Sequence, residues 1–287
     1  MNFAAQIIRC RVPDGLDGRN VCVAVLDTGV FVHQDIDKRV VCFKDFVNGR
    51  KEAYDDNGHG THVCGILGGN GKMSDGLYKG IAPNCNIVVL KILDEFGSGT
   101  VRWSIDAINW VLKNKERYNI KVVNMSVGSS ETTVSKSLSS SVAEMWKNGI
   151  TVCAAAGNNN PSGITSPGIN PDIITIGSWE ENVRFKIRDG GRVYFKPEIF
   201  APGRDIISCM AESFSFEGGH RSKEKVVGDY YVKMSGTSMA TPMVSGTAAL
   251  VLQKFPYLSP GEVKEKIVSA TLKNNGKRLL NIEEIFA

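Results

Sequence analysis

The residues able to do chemistry sit in three short stretches far apart in the chain. Asp27 lies in Val25-Leu26-Asp27-Thr28-Gly29, His59 in Asn57-Gly58-His59-Gly60-Thr61-His62-Val63, and Ser238 in Gly236-Thr237-Ser238-Met239-Ala240-Thr241-Pro242. A serine hydroxyl becomes a nucleophile beside a base, and an imidazole serves as that base when a carboxylate fixes its tautomer. The three stretches together offer nucleophile, base and orienting acid, which is a set for acyl transfer. Each alone has a plainer reading: a Gly-Thr-Ser cap, a turn-forming Asp, a helix histidine. Ser238 gains from its context. Thr237 reads as an N-cap, and the apolar run through Ala248, Ala249, Leu250, Val251 and Leu252 reads as the helix beyond it. Ser238 then falls in the first helical turn, where unpaired N–H groups and the positive dipole end favour a nearby oxyanion.

The elements that must position these residues read as strands alternating with helices. Apolar runs at 20–26, 86–93, 121–125, 150–155 and 173–176 suit strands buried on both faces of a parallel sheet. Helical spacing appears in Val63, Ile66 and Leu67 after His59, in Val101, Ile105, Ile108 and Leu112, and in Leu138, Val142 and Met145. This alternation predicts an α/β fold, three layers α/β/α around a central, mostly parallel sheet. In such sheets functional groups gather at the carboxyl ends of strands, where Asp27 falls. Val183, Phe185 and Ile187, then Val193 and Phe195, alternate with polar residues about 189–191 and predict a small added β-hairpin. Residues 205–209 return to strand, and 213–233, with His220, read as a second hairpin or a mobile loop. Ser259-Pro260-Gly261-Glu262 is a capping-box sequence, opening a helix that carries Val263, Ile267 and Val268 as far as Asn274-Asn275-Gly276. With no repeat and no linker, residues 1–287 read as one domain.

Composition narrows the function. Over 287 residues, 42% hydrophobic and 22% charged is enough to bury a sizeable core, and a net charge of +4 with scattered basic residues does not suit a nucleic-acid partner. No apolar run approaches the roughly 20 residues that cross a bilayer, so no membrane partner is expected. Seven cysteines without a C-x-x-C suggest neither a zinc ribbon nor a thioredoxin motif, and so many thiols point to a reducing, cytoplasmic location. The first ten residues lack the features of a signal peptide. His59 and His62 share a helix face, but H-E-x-x-H and a third ligand are missing, so no metal is assigned and His62 reads as structural.

With those stretches in view, the chain resembles the subtilisin-like serine proteases (subtilases), of the intracellular type without a signal peptide. The resemblance rests on 25–29, 59–65, 91–99, 124–128, 154–158, 201–203 and 236–242, in the family's order, and the order Asp, His, Ser is itself that of subtilisin. Ser238 stands in G-x-S-x-A, a poor match to the G-x-S-x-G elbow of α/β-hydrolases. The resemblance implies Ser238 as nucleophile, His59 as general base and then acid, Asp27 as its orienting carboxylate, and Asn158 as side-chain oxyanion donor beside the Ser238 N–H. It implies that Gly97, Ser98 and Gly99, with Ser126, Val127 and Gly128, sandwich the peptide as an added strand. Ala155, Ala156 and Gly157 correspond to a wall of the S1 pocket, implying a roomy, mostly apolar site for P1, the residue on the acyl side of the scissile bond. Asp55, Asp56, Asp94 and Glu95 border the non-primed side, where they would favour basic residues at P2 or P4.

No cofactor is implied for the chemistry. A structural calcium ion is a candidate at Asp35 and the 70–78 loop, with Asn70, Ser74 and Asp75 as oxygen ligands. The chain departs from the family pattern in the 183–195 hairpin and in the long, charged 213–233 stretch, both expected near the cleft. No inhibitory prodomain precedes Asp27; it is absent, very short or removed. Such a prodomain, or a proteinaceous inhibitor, is an implied partner besides the polypeptide substrate. The function expected is a serine endopeptidase working through an acyl-enzyme. A maturation protease for one precursor or leader peptide is the narrower alternative, and a silent, peptide-binding pseudoprotease the different-class one. Asp27, His59, Asn158 and Ser238 are all present, which a silent copy would not require. Peptide ligation would need a lid against water, and no large insertion supplies one.

Overall fold

The computed structural model describes residues 2–128, 136–158, 163–181, 184–189, 191–212, 225–274 and 276–287. Its first half runs α1 (Asn2–Ile7), β1 (Cys22–Asp27), β2 (Val40–Asp45), α2 (His59–Gly68), β3 (Asn86–Lys91), α3 (Val101–Tyr118), β4 (Ile120–Met125), α4 (Lys136–Lys147) and β5 (Thr151–Ala155). The second half runs β6 (Ile174–Ser178), β7 (Phe185–Asp189), β8 (Arg192–Lys196), β9 (Ile199–Ala201), β10 (Ile206–Cys209), β11 (Val226–Val227), β12 (Tyr231–Met234), α5 (Thr237–Lys254), α6 (Pro260–Ser269), β13 (Leu272–Asn274), β14 (Lys277–Leu279) and α7 (Ile282–Phe286).

Nine strands form the central sheet in the order β13-β14-β9-β6-β5-β4-β1-β3-β2, parallel except for the β13–β14 pair. Continuous apolar runs become these strands because both faces are covered. Val23, Val25, Ile87 and Val89 face the layer of α2 and α5, while Cys22, Ala24, Leu26, Val88 and Leu90 face that of α3 and α4. Burying each such aliphatic side chain is worth about 1.5–3 kcal/mol before entropy is counted. The expected three-layer α/β/α architecture is the one observed.

The topology also chooses where the site lies. From β1 the chain builds β2 and β3 on one side, then crosses to start β4 on the other side of β1. The carboxyl ends of β3, β1 and β4 therefore bound the crevice of an open sheet at its switch point. Asp27 ends β1, the 93–100 loop leaves β3, Ser126 follows β4 and Asn158 follows β5.

The hairpin β7–β8 pairs Phe185 with Lys196 through Asp189 with Arg192, as the alternation predicted; Val183 and Gly190 lie outside the described residues. Of the 213–233 stretch, the described part enters a three-stranded antiparallel sheet, β10-β12-β11, while 213–224, with His220, lie outside it. Two expectations need correction. The last long helix, α6, ends at Ser269, not at 274–276. Gly276, at φ +76°, turns a hairpin instead, and β14 then adds to the sheet through Leu279 and Phe200. A Gly with positive φ serves a helix stop and a hairpin turn equally well. The N-cap of α5 is Gly236, at φ +147°, and Thr237 is already helical. Ser238 remains in the first turn.

Candidate active site

Asp27 and His59 meet because two backbones touch. A Cβ at Gly60 would collide with the Gly29 carbonyl, and one at Gly29 with the Tyr54 carbonyl, so only glycines let the end of β1 lie against the start of α2. His59 Nδ1 then lies 2.7 Å from Asp27 Oδ1, which also accepts from the Thr28 N–H at 2.8 Å. The carboxylate is fully buried and its Oδ2 has no partner among the described residues. The imidazole side chain is 25% exposed, on the cleft side. Packing around the ring works against its charge, yet the Asp27 carboxylate, its hydrogen bond and the more distant Asp55 outweigh this and raise the His59 pKa.

A second carboxylate anchors the same junction. Asp55 Oδ1 accepts from Thr28 Oγ1 at 2.9 Å and Gly58 N at 2.8 Å, and its Oδ2 accepts from Thr61 N at 2.9 Å and Thr61 Oγ1 at 2.6 Å. Thr28 Oγ1 accepts in turn from Gly60 N at 2.9 Å. A negative charge at the amino end of α2 also suits the helix dipole. Below it, the fully buried Lys91 donates to Thr28 O at 2.6 Å, Asp56 Oδ1 at 2.6 Å and Leu93 O at 2.9 Å, so all three ammonium protons are used.

Ser238 is held through Ser126. Pro242 has no N–H for the carbonyl four residues back in α5, which is that of Ser238. Ser126 Oγ donates to that carbonyl instead at 3.0 Å, and accepts from Asn124 Nδ2 at 3.0 Å; Ser245 Oγ holds the other end of Asn124 at 2.8 Å. The Ser238 hydroxyl donates to Ser126 O at 3.0 Å, not to His59. Both nevertheless line one cleft of about 790 Å³. Asn158 follows β5 with its Oδ1 fixed by Thr237 N and Thr237 Oγ1, both at 3.0 Å. That leaves Nδ2, beside Gly236, as the donor of that amide.

The structure brings Gly97, Ser98, Gly99, Ser126, Val127 and Gly128 to the wall of this cleft with Thr28, Asn57, His59 and Ser238. Of the other wall residues, Ala155 and Ala156 are 2% and 5% exposed, and Gly157 meets the side chain of Thr165. Of the four acids expected along the non-primed side, Glu95 is exposed and the other three have partners. Asp55 is buried in its network, Asp56 pairs with Lys91, and Asp94 Oδ1 accepts from Phe96 N and Ser98 N of its own turn. That turn presents Phe96, 82% exposed, to the cleft. Phe185 of the hairpin shares a small cavity with Ala156, Gly157 and Thr237, so the hairpin's base does lie beside the site.

Other donor sets are committed internally. Asp35 Oδ1 accepts from Met73 N at 2.9 Å and Oδ2 from Tyr231 OH at 2.7 Å; Asn70 Oδ1 accepts from Lys72 N at 2.9 Å, and Ser74 Oγ donates to Gly71 O and accepts from Tyr78 N. These oxygens pin the 70–78 loop by hydrogen bonds, which account for its shape without an ion. His33, Asp35 and Cys209 have metal-compatible spacing, yet His33 Nδ1 accepts from Asp35 N and Nε2 donates to Tyr230 O, so the ring has no lone pair left. His62 is structural: its Nε2 donates to Ile206 O and Val232 O at 3.0 and 3.1 Å, and burial lowers its pKa to about 3. Sequence reasoning missed the supporting roles of Thr28, Lys91 and Asn124. A charged residue inside the apolar run of β3 was the available signal for Lys91.

The model of the subtilase family matches residues 18–283. The serine protease AprX of Bacillus subtilis (strain 168) is 40% identical over 278 residues, covering 90% of this chain and 62% of its own length. The chain thus spans under two thirds of that relative. Subtilisin DY of Bacillus licheniformis is 34% identical over 281 residues, covering 94% of this chain and 92% of itself. A crystal structure of a cold-adapted subtilisin-like serine proteinase superposes with a TM-score of 0.75 at 31% identity, covering 98% of this chain and 97% of that one.

Proposed function

Because the chain belongs to the subtilase family, whose serine proteases hydrolyse peptide bonds, we propose that it is a serine endopeptidase working through Asp27, His59 and Ser238. The observation that carries this reading is the 2.7 Å contact of His59 with Asp27, made by an imidazole that opens onto the same cleft as Ser238. A substrate strand lies between 97–99 and 126–128, held by main-chain bonds that make little demand on sequence. At rest the Ser238 hydroxyl donates to Ser126 O; rotation about its Cα–Cβ bond turns it toward His59. His59 Nε2 takes the hydroxyl proton as Oγ attacks the scissile carbonyl, and Nδ1–H stays on Asp27, whose partnerless Oδ2 adds to the field that stabilises the imidazolium. The oxyanion accepts from Asn158 Nδ2 and the Ser238 N–H. His59 then protonates the leaving amine, and water resolves the acyl-enzyme by the same steps in reverse.

The family's chemistry needs no cofactor, and the hydrogen-bonded 70–78 loop gives no support to a calcium requirement. Neither the precursor-specific nor the silent reading draws support from the geometry. All seven cysteines are unpaired, which supports a reducing, cytoplasmic setting, and no described helix is long and apolar enough to cross a membrane. A prodomain or proteinaceous inhibitor would compete with substrate for the same cleft. Labelling with a fluorophosphonate probe tests the assignment: wild type should be labelled covalently and Ser238→Ala should not. Folded wild type that stays unlabelled overturns it.

A further inference from the structure

We propose that the outer face of the β7–β8 hairpin is an exosite that holds an acidic segment of the polypeptide substrate beside the cleft. The proposal rests on reading that cleft as the peptide-cleaving site of Ser238. The register sorts the hairpin's side chains onto two faces: Lys186 opposite Phe195 and Arg188 opposite Val193 on one, and Phe185, Ile187, Tyr194 and Lys196 on the other. The second face is tied to the body of the molecule. Tyr194 OH donates to Ile169 O at 3.2 Å, and the fully buried Lys196 Nζ lies 2.9 Å from Ile173 O and 2.7 Å from Glu198 Oε1. The first face is left to solvent, with Lys186, Arg188, Val193 and Phe195 all exposed. Arg184, exposed as well, lies 4.8 Å over the Phe195 ring and donates to Gly276 O at 3.4 Å. Burial lowers the Arg184 pKa, and the nearby Arg278 lowers it further, against the pull of Glu198. Among the described residues, no carboxylate forms an ion pair with Arg184, Lys186, Arg188 or Arg278.

The charge selects an anionic partner, and the surroundings select a peptide. Phe185, at the start of β7, and Pro197, just past β8, line one small cavity with Ala156, Gly157 and Thr237, the neighbour of Ser238. The hairpin is thus rooted beside the nucleophile's turn, and a chain leaving the cleft there runs alongside it. Each strand has five residues, so an extended segment of about five residues, at about 3.3 Å each, matches its length. Nucleic acid is disfavoured because the ring face that would stack on a base is taken by Arg184. A membrane is disfavoured because two half-exposed side chains, Val193 and Phe195, offer little apolar surface to insert. Contacts made far from the scissile bond are the same in the bound substrate and in the transition state, so this face acts on KM and leaves kcat alone.

The test is a set of peptides that share one scissile core and carry a tail of about five residues, Glu-rich or Gln-rich, at one end or the other. Two or three exposed charge pairs together amount to about 3–30-fold, so wild type should show a KM lower by that factor for a Glu tail at one of the ends, with kcat unchanged. The preference should fade between about 0.01 M and about 1 M ionic strength, as the screening length contracts from about 30 Å to about 3 Å. Lys186→Gln/Arg188→Gln should remove most of it while cleaving the untailed core as wild type does. Equal KM for Glu and Gln tails at both ends overturns the inference, even if the double variant does not fold, and so does a preference that the folded double variant keeps in full. Binding of phosphatidylserine vesicles or a single-stranded oligonucleotide, with no effect of the tail, overturns it in favour of that ligand. Wild type that takes no fluorophosphonate label would instead remove the underlying protease reading, and Glu-tail binding to Ser238→Ala, followed by fluorescence anisotropy, decides the surface without catalysis.

Discussion

At the residue scale the site depends on unequal environments for similar groups. His59 and His62 are three apart on one helix, yet they titrate in opposite directions. Burial dominates at His62, with the nearby His59 adding to it, and the ring stays neutral to about pH 3. At His59 burial is outweighed by Asp27, and the pKa rises above the ordinary 6.5. Since the base must be neutral to accept the Ser238 proton, kcat/KM should rise with pH along an acid limb centred above 6.5. Asp27→Asn removes the charge that raises this pKa, so the limb should move to lower pH while the rate falls by about 10⁴-fold, the size such a change has in a Ser-His-Asp protease. A pH–rate profile of both proteins checks this, and an acid limb indifferent to the substitution would contradict the pairing.

At the element scale the ends of β1, β3 and α2 behave as one unit. Lys91, in the last position of β3, ties the Thr28 carbonyl of the β1 turn to Asp56 ahead of α2. Breaking a buried ion pair from one side costs about 3–5 kcal/mol, because the partner is left uncompensated. Lys91→Met should therefore destabilise the fold by about 3 kcal/mol, toward the lower end because Asp56 is 30% exposed. Urea denaturation in the non-autolysing Ser238→Ala background measures it. A loss under about 1 kcal/mol would show that the Thr28 turn is held without the lysine. Lys91 was visible in the sequence as a charge in an apolar run, but its partners were not, since Asp56 lies 35 positions away. Asp55 and Asp56 were readable only as loop acids, and the contacts that turn one into a helix anchor are long-range.

At the scale of the whole molecule, stability should be bounded on both sides by buried groups held neutral. His62 has a lowered folded pKa, so the unfolded chain binds the extra proton between about 6.5 and about 3, and stability falls as pH drops through that window. Burial raises the thiols of Cys10 to about 11 and of Cys85 and Cys153 to about 12, and pushes Cys22, Cys64 and Cys209 up as well. A raised thiol contributes stability present below its unfolded value of 9.0 and lost above it, at about 1.4 kcal/mol per pH unit for each group. Lys196, lowered chiefly by burial to about 8, works the other way above that pH, but it is one group against several. Apart from the opposed single-group contributions of His59 just above pH 6.5 and Lys196 above about 8, the Tm of Ser238→Ala protein should be near level from about pH 6.5 to 9 and decline on either side. A Tm that kept rising past pH 10 would contradict the buried-thiol account.

The amino-acid sequence by itself determined the family, the layered α/β frame, and the order of the groups proposed to do the chemistry. Those properties are written locally: an apolar run, a helical period, a glycine beside an Asp or a His each report on their own few residues. Only the tertiary structure decided that Thr165 packs against both Gly128 and Gly157, that Asp55 binds a helix end, and that 272–279 extends the sheet. The physical reason is common to all three. Each outcome depends on which distant backbone a side chain or strand edge meets, and local spacing carries no record of that meeting.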